Sequence, residues 1–153
     1  MGPAIFFGVL LFRAINLPTF LVASIIADIE PFIVIVLGFD YPLHGFFHSF
    51  VGGSILALGM CFVMLRFKGS ADKMMGFFRM KQEMSSRSVI AASFLGVYMH
   101  IFLDSFLYTD IRPFFPLDAN PIYGLTSYDG VILFCVLSFV FGILLYCYKL
   151  IKR

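Results

Sequence analysis

Long apolar stretches alternate with short polar segments along the chain, and the apolar stretches predict the architecture. A helix needs about 20 apolar residues to cross the hydrocarbon layer of a membrane. Four stretches reach or approach that length, 17–37, 46–67, 89–108 and 130–148. A fifth, 3–12, is about half as long, and we interpret it as a short helix that enters the membrane partway or packs against the bundle. The pattern predicts an all-α integral membrane protein with about four transmembrane helices.

The composition also favours lipid as the main solvent. Of the 153 residues, 61% are hydrophobic and only 13% are charged, about half the charged share of a soluble domain. So little polar surface could not cover a core of this size in water. We therefore expect one helical transmembrane domain over residues 1–153. The formal net charge of +2 is too small to indicate nucleic-acid binding.

Basic residues lie mainly at one end of the predicted spans, which indicates an orientation. The segment 69–87 between the second and third spans is basic, and we expect an amphipathic helix there on the lipid surface. The positive-inside rule places this segment and the C-terminus in the cytoplasm of a cell-membrane protein. Arg112 is the only basic residue expected on the other side. The residues assigned to the cytoplasmic side are Arg13, Arg66, Lys68, Lys73, Arg79, Lys81, Arg87, Lys149, Lys152 and Arg153.

Ionisable residues within the apolar stretches are costly and therefore point to function. His44 and His48 are four apart, and so are His100 and Asp104. Residues at this spacing share one face of a helix, so each pair can direct two ligand atoms at one point. Each pair taken alone is also compatible with a hydrogen-bonded structural role or a proton relay.

Two carboxylates of the first span, Asp28 and Glu30, are expected in the same half of the bundle as the two histidine motifs. Pro31 should kink the first span just after Glu30, which would let both carboxylates turn inward. Three histidines and three carboxylates form a ligand set suited to zinc, manganese or iron. The sequence predicts one or two divalent metals, with zinc favoured, on the extracytoplasmic side. The predicted ligands are Asp28, Glu30, His44, His48, His100 and Asp104.

The order of these motifs resembles that of the inner-membrane YdjM-like family of metal-dependent hydrolases. The resemblance runs from Ala23 to Pro116 through three segments: 27–31 (ADIEP), 44–49 (HGFFHS), and His100 with Asp104 before a proline-rich turn. It implies that Asp28, His44, His48, His100 and Asp104 are metal ligands or catalytic groups. The family is distantly similar to zinc-dependent phospholipase C, which implies phosphoester hydrolysis. Glu30 departs from the family pattern, which has a second Asp at that position.

The leading hypothesis is a membrane-embedded hydrolase that acts on a phosphoester of an amphiphilic or lipid substrate. Asp28, Glu30 or Asp104, whichever does not bind metal, would serve as general base. Arg112 is predicted to hold a substrate phosphate or carboxylate, unless it forms a salt bridge with Asp110 or Asp118. Substrate contacts are also predicted for Tyr108 and Asn120. The expected partners are membrane lipid and, in a homo-oligomer, further copies of the chain.

Two other functions remain open from the sequence. A divalent-metal or proton transporter would also place ionisable residues inside its spans. Its cytoplasmic half should then carry polar groups, whereas 56–65 and 133–145 are almost entirely apolar. A non-catalytic protein in which the metal only staples the helices would have a closed coordination sphere.

Overall fold

A computed structural model describes residues 1–67, 69, 73, 75, 76, 82 and 85–152. Every regular element within these residues is helical, so the all-α expectation is confirmed. The predicted amphipathic helix at 69–87 lies mostly outside the described residues. Single 3-10 turns at Ile26–Asp28 and Phe46–His48 precede the third and fourth helices. The α-helices are α1 (Gly2–Leu10), α2 (Leu17–Ala23), α3 (Ile29–Leu37), α4 (Phe50–Arg66), α5 (Ser86–Ser105) and α6 (Tyr128–Ile151).

Three segments are long and apolar enough to cross a membrane: Leu17–Leu37, Ser86–Ser105 and Tyr128–Ile151. Helix α4 is apolar as well but has 17 residues. At a rise of about 1.5 Å per residue it is about 25 Å long, somewhat shorter than the roughly 30 Å hydrocarbon layer. The membrane character is therefore confirmed, whereas the count of four complete spans is not.

Helix α5 lies at the centre of the bundle, between α2 and α4. Gly96 lets α2 approach closely, because a Cβ at this position would lie 2.9 Å from the carbonyl oxygen of Phe20. Small residues at a helix interface allow this kind of close backbone contact. The result is that the chain just after α2 lies beside the C-terminal half of α5. The main buried cluster consists of Ala23, Ala57, Met60, Val97 and Ile101.

The short N-terminal helix α1 packs along α6, as expected of a helix too short to span. Gly2 is required at the start of this contact, because a Cβ there would lie 1.9 Å from the carbonyl oxygen of Cys135. At the other end of the contact, the Lys149 ammonium group donates a hydrogen bond to the carbonyl oxygen of Val9. The two helices therefore run parallel. Helix α6 leaves large side chains such as Leu133 and Leu144 exposed, as a lipid-facing helix should.

Candidate metal centre

The first predicted span is broken into two helices, and the break positions Asp28. Helix α2 ends at Ala23, a 3-10 turn covers Ile26–Asp28, and α3 begins at Ile29. We expected the kink just after Glu30, but the break precedes Glu30, and Pro31 falls within the first turn of α3. Proline is tolerated there because the first N–H groups of a helix have no intrahelical partner. Asp28 stands at the N-cap of α3 without a side-chain capping hydrogen bond, so its carboxylate can turn towards α5.

His48 is fixed by a second short turn and by Glu30. The turn Phe46–His48 leads into α4, whose N-cap Ser49 accepts a hydrogen bond from the Gly52 N–H at 3.0 Å. The His48 side chain is fully buried, and its Nδ1 lies 2.9 Å from Oε2 of Glu30. Oε1 of Glu30 accepts from the Phe47 N–H at 3.2 Å. With Glu30 ionised, Nδ1 of His48 carries the proton and Nε2 presents its lone pair.

His100 projects from the C-terminal half of α5 towards two carboxylates. Its Nε2 lies 3.2 Å from Oδ2 of Asp104, one helical turn away, and 3.4 Å from Oδ1 of Asp28. Neither contact has the geometry of a hydrogen bond, and the same nitrogen is buried without a hydrogen-bond partner. The His100 ring is centred 5.6 Å from the ring of His48. The helical spacing of His100 and Asp104 therefore brings them together as the sequence predicts.

These four side chains form a group that fits a divalent cation. One ligand atom from each of Asp28, His48, His100 and Asp104 lies within 4.8 Å of the other three. Ligand atoms bound to one tetrahedral zinc at about 2 Å lie roughly 3.3 Å apart, so small side-chain movements would close the set. Nε2 of His48 and Nε2 of His100 are both buried without hydrogen-bond partners. Buried polar atoms are rarely left in that state, and a cation would satisfy both nitrogens.

The other two predicted ligands lie next to this group. Glu30 contacts Nδ1 of His48, the position of a carboxylate that orients a metal-binding histidine. His44 lies outside this group of four, and its Nδ1 lies 3.0 Å from Oδ1 of Asp110. The His44 ring also stacks on Tyr108, with 4.2 Å between the ring centres. The structure thus brings together four of the six side chains and places Glu30 and His44 around them.

Asp110 contacts His44 beside the candidate metal centre. From the sequence it was expected only as a possible salt-bridge partner of Arg112. Its carboxylate also accepts from the His44 N–H at 3.1 Å. Partial burial alone would raise the pKa of Asp110, but the hydrogen bonds from His44 outweigh burial and lower it. Burial and the nearby carboxylate of Asp104 raise the pKa of Tyr108. The signal for Asp110 in the sequence was weak, because its partner is far away along the chain.

The three predicted substrate contacts have different surroundings. Arg112 donates from Nη1 to Oδ1 of Asp118 at 2.7 Å, and both side chains are exposed. Asn120 donates from Nδ2 to the carbonyl oxygens of Ser105 at 2.9 Å and Tyr108 at 3.3 Å, and so ties the loop between α5 and α6 to the end of α5. Tyr108 stacks on His44. A salt bridge was the alternative expected for Arg112 in place of substrate binding. The structure shows that salt bridge, with Asp118 as the partner.

The fold and this group define a helical integral membrane protein with a candidate metal centre at one end of its bundle. More specifically, the chain belongs to the YdjM inner membrane protein family, whose model matches residues 1–153. No curated protein and no solved structure matches the chain. The family match supports the resemblance found in the sequence as far as membership and membrane location, and says nothing about hydrolysis.

Proposed function

We propose that this protein is a membrane-embedded, metal-dependent hydrolase that acts on a phosphoester of an amphiphilic substrate at the extracytoplasmic face. The observation that carries the proposal is the pair of buried Nε2 atoms on His48 and His100, which lack hydrogen-bond partners and lie beside two carboxylates. Two imidazoles and a carboxylate are a common protein ligand set of catalytic zinc, which keeps its fourth position open.

In this proposal, His48, His100 and Asp104 hold one divalent cation, with zinc favoured over manganese or iron. Such a cation supplies Lewis acidity, which makes water nucleophilic near neutral pH and draws charge from a phosphoryl oxygen. Glu30 holds His48 in the tautomer that presents Nε2. Each Glu30 oxygen already faces a protein donor, the Phe47 N–H or Nδ1 of His48, so we place Glu30 in this orienting role and not as the general base.

Asp28 is the proposed general base. Its side chain is 56% exposed, whereas that of Asp104 is 20% exposed. The more accessible carboxylate is better placed to accept a proton from water, and the more buried one is better placed to hold a cation. This assignment selects one of the three carboxylates that the sequence offered for this role.

Two adjoining cavities support an amphiphilic substrate. One, of about 340 Å³, has a wall of polar and apolar residues that includes His44, Asp110 and Arg112. The other, of about 270 Å³, is lined almost entirely by apolar residues of α3 and α4 and their preceding turns. Tyr41 and Phe46 line both cavities, and the Tyr41 hydroxyl accepts a hydrogen bond from the Phe46 N–H at 3.0 Å. A lipid could place its headgroup in the first cavity and part of an acyl chain in the second.

The test compares Asp28→Asn with Asp104→Asn in the purified full-length protein. Metal content is measured first, followed by release of phosphate or headgroup from a panel of phospholipids with and without a chelator. We expect Asp28→Asn to retain the metal and lose at least about 100-fold in rate, in the range of general-base removal. We expect Asp104→Asn to lose the metal and the activity together. Asp129→Asn, at an exposed position in the first turn of α6, is the matched control and should change neither.

A different pattern would identify the structural alternative. If Asp28→Asn and Asp104→Asn both lose the metal, and the loaded wild type hydrolyses none of the lipids, the four side chains form a closed site that staples the helices. That result would contradict the hydrolase proposal and leave the metal centre in place.

A further inference from the structure

A cavity lined by two arginines lies at the opposite end of α5 from the metal group. It measures about 480 Å³, and its wall includes Arg13, Gln82 and Arg87. With a helix rise of about 1.5 Å per residue, Arg87 lies about 20 Å along α5 from His100. This cavity is therefore separate from the candidate metal centre, and inferences about it do not depend on the proposed hydrolase activity.

The two guanidinium groups at this cavity belong to Arg13 and Arg87, which are both exposed. Neither forms an ion pair within the residues that the structure describes. By contrast, Arg112, the one arginine of the loop between α5 and α6, is paired with Asp118. A planar guanidinium matches the oxygens of a phosphate group with two parallel hydrogen bonds.

The wall that carries Arg13 is held firmly by Gln82. Nε2 of Gln82 donates to the carbonyl oxygens of Phe12 and Ile15, both at 2.5 Å. Its Oε1 accepts from the Leu17 N–H at 2.9 Å. The turn between α1 and α2 is thus tied on both sides of Arg13 to the chain just before α5. A cavity with a fixed wall costs less conformational entropy on binding than one that must be ordered by its ligand.

The position of the cavity along the bundle favours a ligand from the membrane surface. Arg13 lies between α1 and α2, and Arg87 lies in the first turn of α5, so both are at the polar ends of membrane helices. The remaining wall includes the apolar residues Phe12 and Ala91. Basic pockets between transmembrane helices at this depth suit anionic lipid headgroups.

We propose that this cavity binds the phosphate group of an anionic ligand, with Arg13 and Arg87 as its charged contacts. The phosphate can come from an anionic phospholipid or from a free phosphate in solution. The two sources differ in measurable ways, because a lipid also places its acyl chains against the bundle and a free phosphate does not.

The experiment measures binding to the full-length protein in nanodiscs of zwitterionic phosphatidylcholine. One arm adds phosphatidylglycerol in increasing mole fractions, and the other adds inorganic phosphate. Retained lipid is counted by native mass spectrometry, and thermal stability is followed in both arms. We expect phosphatidylglycerol to bind the wild type, and Arg13→Gln with Arg87→Gln to weaken binding by about 25-fold, at about five-fold for each charge at a membrane surface.

Two controls keep the result interpretable. Arg66→Gln removes an exposed cation at the end of α4, on the same side of the bundle and outside the cavity, and should leave lipid binding within about two-fold. Arg13→Lys with Arg87→Lys keeps the charge and should restore part of the affinity. An unchanged thermal unfolding midpoint in each variant before any anion is added would show that the bundle is folded.

Each outcome bears on the proposal. Loss of phosphatidylglycerol binding in the double Gln variant alone supports a lipid phosphate. A response to inorganic phosphate that depends on both arginines, without lipid retention, supports a free phosphate. Equal binding by the wild type and the double Gln variant, or equal loss in Arg66→Gln, would overturn the proposal, because the anion would then be responding to general surface charge.

Discussion

Two carboxylate–histidine pairs flank the same short stretch of chain, yet they lie in different environments. At one end, Nδ1 of His48 lies 2.9 Å from Glu30, and these side chains are 0% and 7% exposed. At the other end, Nδ1 of His44 lies 3.0 Å from Asp110, and these side chains are 11% and 38% exposed. The two rings are only 4.8 Å apart. The pairs share their chemistry and differ in burial.

That difference in burial supports different roles for His44 and His48, which the sequence predicts to act alike. Nε2 of His48 is buried without a hydrogen-bond partner and belongs to the group of four that could hold a cation. His44 instead stacks on Tyr108 and lines the cavity that also includes Asp110 and Arg112. The buried pair therefore supports a metal ligand, while the more exposed pair joins the segment before α4 to the loop between α5 and α6.

The largest expected contrast is in metal content. We expect His48→Ala to reduce bound metal from about one ion per chain to less than about a tenth, because it removes one of the few strong donors of the site. We expect His44→Ala to retain most of the metal, since His44 lies outside the group of four. Elemental analysis of the purified proteins gives the comparison directly.

The same elemental analysis on further variants supplies the control, and some of its outcomes would contradict the prediction. His100→Ala should behave like His48→Ala, and Arg87→Gln, at the far end of α5, should behave like the wild type. Equal metal loss in His44→Ala and His48→Ala would mean that both histidines bind metal, as the sequence alone suggests. Unchanged metal in His48→Ala and His100→Ala would remove the candidate metal centre altogether.

A smaller difference, in metal affinity, is expected between substitutions of the two carboxylates Glu30 and Asp110. Glu30→Gln can still accept a hydrogen bond from Nδ1 of His48 but loses the charge that strengthens His48 as a donor. Loss of such a partner lowers metal affinity by about 10- to 100-fold, and we expect the low end of that range. Asp110→Asn should leave the affinity unchanged. Competition with a chromophoric chelator would measure both, and equal affinities in wild type and Glu30→Gln would contradict the orienting role.

The sequence predicted the parts of this site that depend on local geometry. His100 and Asp104 lie four apart on a regular helix, and their spacing alone brings Nε2 and Oδ2 to 3.2 Å. The cost of a carboxylate inside an apolar stretch pointed to Asp28, which the structure places in the group of four. The partial helix at 3–12 also followed from its length, because about half a span must pack against another helix to bury its apolar surface.

The rest of the site depends on contacts that spacing does not encode. His44 and His48 are also four apart, but the chain between them forms a 3-10 turn after Gly45 instead of a regular α-helix, so helical spacing does not apply to them. Asp110 reaches His44 across a separation of 66 residues, which only the folded bundle reveals. The break in the first span precedes Pro31 because α3 starts at Ile29 and proline fits its first turn.

The smallest expected effect concerns the stability of the exposed pair and its dependence on pH. The pKa of Asp110 is lower in the folded protein than its ordinary value, so its ionised form stabilises the fold above about pH 4. That contribution is lost as the pH falls through the lowered pKa, where the carboxyl becomes protonated. Because Asp110 is partly exposed, solvent screening limits its contribution to less than about 1 kcal/mol. Asp110→Asn should therefore unfold slightly more easily than the wild type at pH 7, with the difference narrowing below about pH 4. A difference that grew as the pH fell would show that Asp110 does not stabilise the fold through its charged form.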